Sequence, residues 1–284
     1  ASYPKGLKTT ELSSLVTITH VEGTSEGSVD LDPDDVLKAF SGTPTGASVV
    51  SANYQFGTID RPFCADSPWN CRPVRPVLDT AFTIPTSTYH PAIVGGAYST
   101  QIIQSSISDG PRTIYPLTGS TISVFYTNVS SITVAHWPPN AEPATGTDGH
   151  LDIVEPDGTI HSFYQLQIAP VGHASEGQLV CSFYGRSHVA GRGFGTPGMQ
   201  YMGARSSGVP TMAGMISAGD LKSGLEYVPH ALAMSMTYNG LAAHAASAVF
   251  PAQHSDDFNE GTGLQGGTAN TGSIPLGALM MLPA

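Results

Sequence analysis

The stretch from residue 148 to 168, DGHLDIVEPDGTIHSFYQLQI, constrains the fold more than any other part of the chain. Apolar and polar residues alternate on both sides of Pro156-Asp157-Gly158. An Asp-Gly pair between two alternating runs signals a β-hairpin, because glycine takes the positive φ that a tight turn needs. Strands are therefore predicted over Leu151–Val154 and over residues 159–168, paired antiparallel. The two-residue period of a strand puts His150, Asp152 and Val154 on one face. A strand position alternating with Leu and Ile normally takes Val or Thr. A His there, followed on the same face by an Asp, fits either a functional site or the polar outer face of a sheet.

Similar alternation recurs at residues 15–20 (LVTITH), 121–126 (TISVFY) and 131–136 (SITVAH), and further strands are predicted at 179–184 and 231–238. Helix signals are few. Asp32 is a good N-cap, Pro33 fits the first helical position, Asp34 and Asp35 complement the helix dipole, and Gly42 ends the run, so a helix is expected over 33–41. A shorter helix is expected over 218–223. Residues 185–214 and 255–271 are Gly-rich or lack period and read as long ordered loops. The 32 Gly and 22 Pro show no repeat, which suits strands joined by tight turns and excludes collagen-like arrays. No linker separates compositionally different halves. Residues 1–284 are expected to form one all-β domain, a jelly-roll-like β-sandwich with long ordered loops and one or two short peripheral helices.

Charged residues are 12% of the chain and the net charge is −11. Nucleic acid is not an expected partner, because its phosphates require a basic face. No apolar run is long enough for a membrane-spanning helix, so a bilayer is not expected either. The chain begins at Ala1 without a signal segment, and we expect one to have been removed from a secreted protein. Cys64 and Cys71 flank the loop FCADSPWNC, and their spacing predicts a small disulfide loop in an oxidising compartment. Cys181, within QLVCSFY, is expected to be a buried free thiol. Asn128-Val129-Ser130 is a glycosylation triplet.

Chemistry is expected in three places. The first is the hairpin, where His150, Tyr164 and Asp148 are candidate catalytic residues and Gln165 a substrate-binding one. The second is the interval between Glu176 and Asp220, which contains no acidic residue but holds Arg186, Arg192 and Arg205, with His188 beside them. Such a local positive island suits carboxylate or sulfate recognition, although each Arg equally suits pairing with an acid elsewhere. The third is His230, at the start of an apolar run, a candidate general base or a satisfied core histidine. Trp69, in the cysteine-flanked loop, is a candidate for stacking on a sugar ring. No HxH or HExxH spacing supports a metal, and no Gly-rich strand-to-helix motif supports a nucleotide cofactor, so neither is expected. A GxSxG elbow is also lacking.

Four segments carry a family resemblance: 65–70 (ADSPWN), 148–165 (DGHLDIVEPDGTIHSFYQ), 204–232 (ARSSGVPTMAGMISAGDLKSGLEYVPHAL) and 274–277 (IPLG). Their order resembles a family of secreted bacterial and fungal proteins with DNPWN, DxHLxIxxPDG, ASGLPxLxGLI…HAL and IPxG motifs, over roughly residues 60 to 280. The resemblance implies a secreted, β-rich, carbohydrate-directed protein. Gln165 stands where many members have Glu, which removes a carboxylate from that position, and many relatives continue beyond IPxG. From the residue types, the leading expectation is a lyase that cleaves an acidic, uronate-containing polysaccharide by β-elimination. A glycoside hydrolase using Asp148 and Asp152 is an alternative, and a non-catalytic glycan-binding or surface module is a third.

Overall fold

A computed structural model describes residues 17–19, 55–71, 99–124, 127–194, 203–222, 227–236, 240–242, 249–252 and 271–281. The helix expected over 33–41 and nearly all of the loop expected over 255–271 lie outside them. The described chain is all-β. Its strands are β1 (Thr17–Thr19), β2 (Gln101–Gln104), β3 (Arg112–Pro116), β4 (Ile122–Val124), β5 (Thr127–Val129), β6 (Ile132–Val134), β7 (Leu151–Val154), β8 (Thr159–Tyr164), β9 (Gln167–Ile168), β10 (Leu179–Cys181), β11 (Phe183–His188) and β12 (Leu279–Met281). One short helix, α1 (Ala218–Lys222), accompanies them. A six-stranded sheet has the order β2-β7-β8-β11-β4-β5, a four-stranded sheet the order β6-β3-β10-β9, and β1 pairs with β12.

The hairpin forms as its sequence predicts. Val154 pairs with Ile160 and Leu151 with Phe163, and Gly158 turns at φ 88. The Asp157 carboxylate accepts the Thr159 amide at 2.8 Å and secures the turn. Strand β8 ends at Tyr164 because Gln165 takes a positive φ of 54, so the single strand expected over 159–168 is split into β8 and β9. The strand expected over 179–184 is likewise two. The Cys181 carbonyl accepts from Leu117, on the four-stranded side. Ser182 bonds Tyr164 and Ser123, on the six-stranded side.

Face-to-face packing of the two sheets makes the main core. Leu151, Ile153, Phe163, Ile122 and Tyr184 of one layer meet Ile114, Val134, Leu179 and Cys181 of the other. Trp137 packs edge-on against Phe163, with ring centroids 6.0 Å apart. Fully burying residues such as Phe163 and Ile153 stabilises the fold by roughly 1.5–3 kcal/mol each. The packing is that of a sandwich, while the pairing is mixed rather than wholly antiparallel: β2–β7, β3–β10 and β4–β11 are parallel. The outer face of the hairpin is buried too. Val154 and Ile160 form a second core with Phe63, Val189, Met212 and Ala213 from loops. The face carrying Asp152 is therefore an interior, not the polar exterior of a sheet.

Three expectations are corrected. Residues 231–236 are not a strand: Ala231 donates to the Trp69 carbonyl and Ala233 to that of Gly214, so their amides serve loops. The loop expected from residue 185 begins later, because residues 185–188 pair with β8 as part of β11. The disulfide expected between Cys64 and Cys71 is not formed. Both are free thiols, Cys71 Sγ donating to the Ala65 carbonyl at 3.0 Å and Cys64 bonding the Asp66 carboxylate. Burial pushes Cys64 up to about 11. The loop is closed instead by the Asn70 amide, which donates to the carbonyls of Pro62 and Cys64. Cys181 is a buried free thiol, pushed up by burial to about 12.

A polar network ties the end of β6 to the hairpin. Glu155 accepts the His136 amide at 2.9 Å and lies 3.8 Å from His161 Nε2, while His161 Nδ1 is 2.8 Å from the Tyr184 hydroxyl. Burial holds His161 below the ordinary histidine value, against the pull of Glu155. An unfolded histidine takes up its proton near pH 6.5, and the folded one does so only at lower pH. The unfolded chain then binds more protons in that window, so stability falls as pH drops below about 6.5. Thermal melts of the parent and His161→Gln at pH 7.5 and 5.5 test this. The variant, which binds no proton there, should lose less stability between the two pH values than the parent does.

Candidate functional site

The open end of the hairpin, away from the Asp-Gly turn, gathers the polar groups. His150 directly precedes β7 and Tyr164 closes β8. Their rings lie side by side, with centroids 5.2 Å apart and planes at 49°. His150 Nδ1 is 3.2 Å from the Phe163 carbonyl. A carbonyl only accepts, so Nδ1 carries the proton of that bond and Nε2 holds the lone pair of the neutral ring. Burial pushes the His150 imidazole below its ordinary value, the Phe163 carbonyl and Asp148 draw it back up, and Arg205 opposes them.

Local backbone fixes this end. Gln165 sits in the left-handed region that non-glycine residues seldom adopt, a conformation of order 1 kcal/mol above the ordinary one. Its amide donates to the Asp148 carbonyl at 2.7 Å, and Leu166 donates to that of Gly149 at 3.2 Å. Gly149 has φ 46, and a Cβ there would meet the Leu166 carbonyl oxygen at 2.9 Å. The segment before β7 is thus pressed onto the residues that follow β8. Gln165 and Gly149 also line a groove of about 1010 Å³ that runs between residues 139–147 and β9.

Behind His150 on the same face, Asp152 is fully buried. The Thr211 hydroxyl donates to Asp152 Oδ1 at 2.5 Å and lies 3.1 Å from Ser162 Oγ. Asp152 Oδ2 has no hydrogen-bond partner among the described residues. Burial raises the Asp152 carboxyl to about 6, against the Thr211 and Ser162 hydroxyls and the charge of Arg205. Arg205 donates to the Thr211 carbonyl at 2.5 Å, and burial lowers it to about 10. A carboxyl that titrates near neutrality, a guanidinium and an imidazole thus share one poorly solvated face.

His150, Tyr164, Asp148, Gln165 and Arg205 come together here. The other candidates lie elsewhere. Arg186 pairs across β11–β8 with His161 and shares that residue's face, opposite to Asp152. His188 is at the turn end of the hairpin, where Nε2 donates to the Asp157 carbonyl at 2.9 Å and Nδ1 accepts the Ala190 amide at 3.0 Å. Arg192 pairs with Asp66 at 3.0 Å. The positive island expected over 186–205 is therefore dispersed, because alternate strand residues face opposite ways and Arg192 is held by the Asp66 carboxylate.

His230 Nε2 is 3.0 Å from the Asp220 carboxylate and Nδ1 is 2.9 Å from the Ala231 carbonyl. Asp220 also accepts the Ser217 amide, and Ser217 accepts that of Asp220, as in a capping box for α1. His230 braces that helix. Trp69 donates from Nε1 to the Gly193 carbonyl at 2.6 Å, and a Cβ on Gly193 or Gly214 would collide with its ring. It serves as a peg between loops. Sequence reasoning missed Thr211 and Ser162, since an isolated hydroxyl residue carries no signal of a buried carboxylate partner.

Among the described residues, no group of three or more His, Cys, Asp or Glu side chains is arranged to hold a metal ion, and no helix is long and apolar enough to cross a membrane. Comparison with models of known protein families, with curated proteins and with solved structures returns no match in any of the three.

Thr211→Val removes the hydroxyl that supports Asp152 and leaves a buried acceptor unserved, which should cost about 1–3 kcal/mol. The cost should be larger at pH 8, where Asp152 is ionised, than at pH 5, where it is largely protonated. Urea denaturation at the two pH values measures the difference.

Proposed function

We propose that this chain is a secreted carbohydrate-active enzyme that cleaves an acidic, uronate-containing polysaccharide by β-elimination. The observation that carries the reading is the His150–Tyr164 pair: a half-buried imidazole whose Nδ1 is committed to a carbonyl, with a tyrosine ring tilted against it. In β-elimination a base takes the C5 proton of the uronate, a C4–C5 double bond forms, and the C4–O bond breaks. The leaving oxygen is then protonated. His150 Nε2 supplies the base and Tyr164 the proton. Burial keeps His150 unprotonated at neutral pH. Gln165 offers an amide to the substrate, while Asp148 and Arg205 set the charge around the imidazole. The four-segment resemblance supports secretion and a carbohydrate substrate. The net charge of −11 argues against nucleic acid, and no membrane partner is invoked.

A hydrolytic reading has one observation in its favour. Asp152 is raised to about 6, the direction a general acid needs, although it is fully enclosed.

Incubation with a panel of uronate polysaccharides, followed near 235 nm for unsaturated ends, tests the reading. His150→Ala should lower the rate by about 10²–10⁴-fold, the usual contribution of a general base. Its loss of stability should stay within about 1 kcal/mol, the scale of one hydrogen bond. Because His150 titrates below its ordinary value, the acid limb of kcat/KM should lie below about pH 6.5. A flat trace with rising reducing sugar would instead assign hydrolysis. Neither signal, with binding retained, would assign a non-catalytic module.

A further inference from the structure

We infer that the groove beside the His150–Tyr164 pair holds the acidic glycan, and that Arg112 recognises a uronate carboxylate within it. The inference rests on the elimination reading above and names where and by what the substrate is held. At about 1010 Å³ the groove is at the upper end of ordinary small-molecule sites, with room for more than one sugar ring. Gly149 and Gln165 line it and are the chain neighbours of His150 and Tyr164, so the groove and the pair meet at the same end of the hairpin.

The lining suits a sugar acid. Asn140, Gln165 and Gln167 present amides that both donate to and accept from hydroxyls, and the Trp137 indole adds an apolar surface. Arg112, the first residue of β3, is exposed on the groove wall. No described residue forms an ion pair with it. Two arginines of the expected positive island are unsuited to this role: Arg192 is held by Asp66, and Arg205 donates to the Thr211 carbonyl. A guanidinium at a solvated wall offers the two-pronged donation that fits a carboxylate. Glu142 also lines the groove.

The test separates recognition from turnover. In the His150→Ala background, calorimetric titration is run with galacturonate and mannuronate tetramers and with the carboxyl-reduced form of each. Adding Arg112→Gln should weaken binding of the preferred uronate tetramer by about 10–100-fold, the worth of a hydrogen bond to a charged group. Binding of the reduced tetramer should change little. Arg112→Lys, which keeps the charge and loses the fork, should fall between. In the His150 enzyme, Arg112→Gln should raise KM by a similar factor. Unchanged uronate affinity in a folded Arg112→Gln protein overturns the role of Arg112, while release of 235 nm-absorbing ends by the parent leaves the elimination reading standing. A parent that neither binds a uronate tetramer nor releases such ends overturns both.

Discussion

The pairing of β7 with β8 is buried on both faces, and the position of each group in the candidate site depends on it. One face feeds the core between the two sheets and the other is roofed by the loops that carry Phe63 and Met212. A slip of one residue would exchange the faces and drive Asp152 and Ser162 into the main core. The turn at Asp157-Gly158 and the two cores thus specify one register together. That register fixes which residues meet at the far end, where His150 lies alongside Tyr164.

Withdrawal from water is the common cause of the site's electrostatics. It pushes His150 down, Asp152 up and Arg205 down, always toward the neutral form. Asp152 and Arg205 then moderate one another across the same face. Such an arrangement costs stability, which is why Thr211 and Ser162 supply hydroxyls where a leucine or valine would pack more simply.

The hairpin was legible in the sequence because its signals are local: alternation, an Asp-Gly turn and a His out of place among Leu and Ile. The companionship of His150, Tyr164 and Gln165 followed from the same register. Arg205 joined them through a loop whose path no local pattern encodes. Alternation also misled. Residues 231–236 alternate like a strand, yet their amides go to Trp69 and Gly214, and Cys64 and Cys71 stand at a disulfide spacing while each thiol bonds a nearby oxygen. Spacing reports what a pair of residues can reach, and neighbours decide what they bond.

Ser182 has a consequence for the whole molecule. Between Cys181 and Phe183 the chain passes from the four-stranded sheet to the six-stranded one with a single residue of slack. Both flanking strands also make parallel pairings with β3 and β4, residues distant in sequence. Neither layer can detach by its own hinge without pulling on the other. The two layers therefore form one cooperative unit, which should open by global unfolding rather than by the stepwise loss of a sheet.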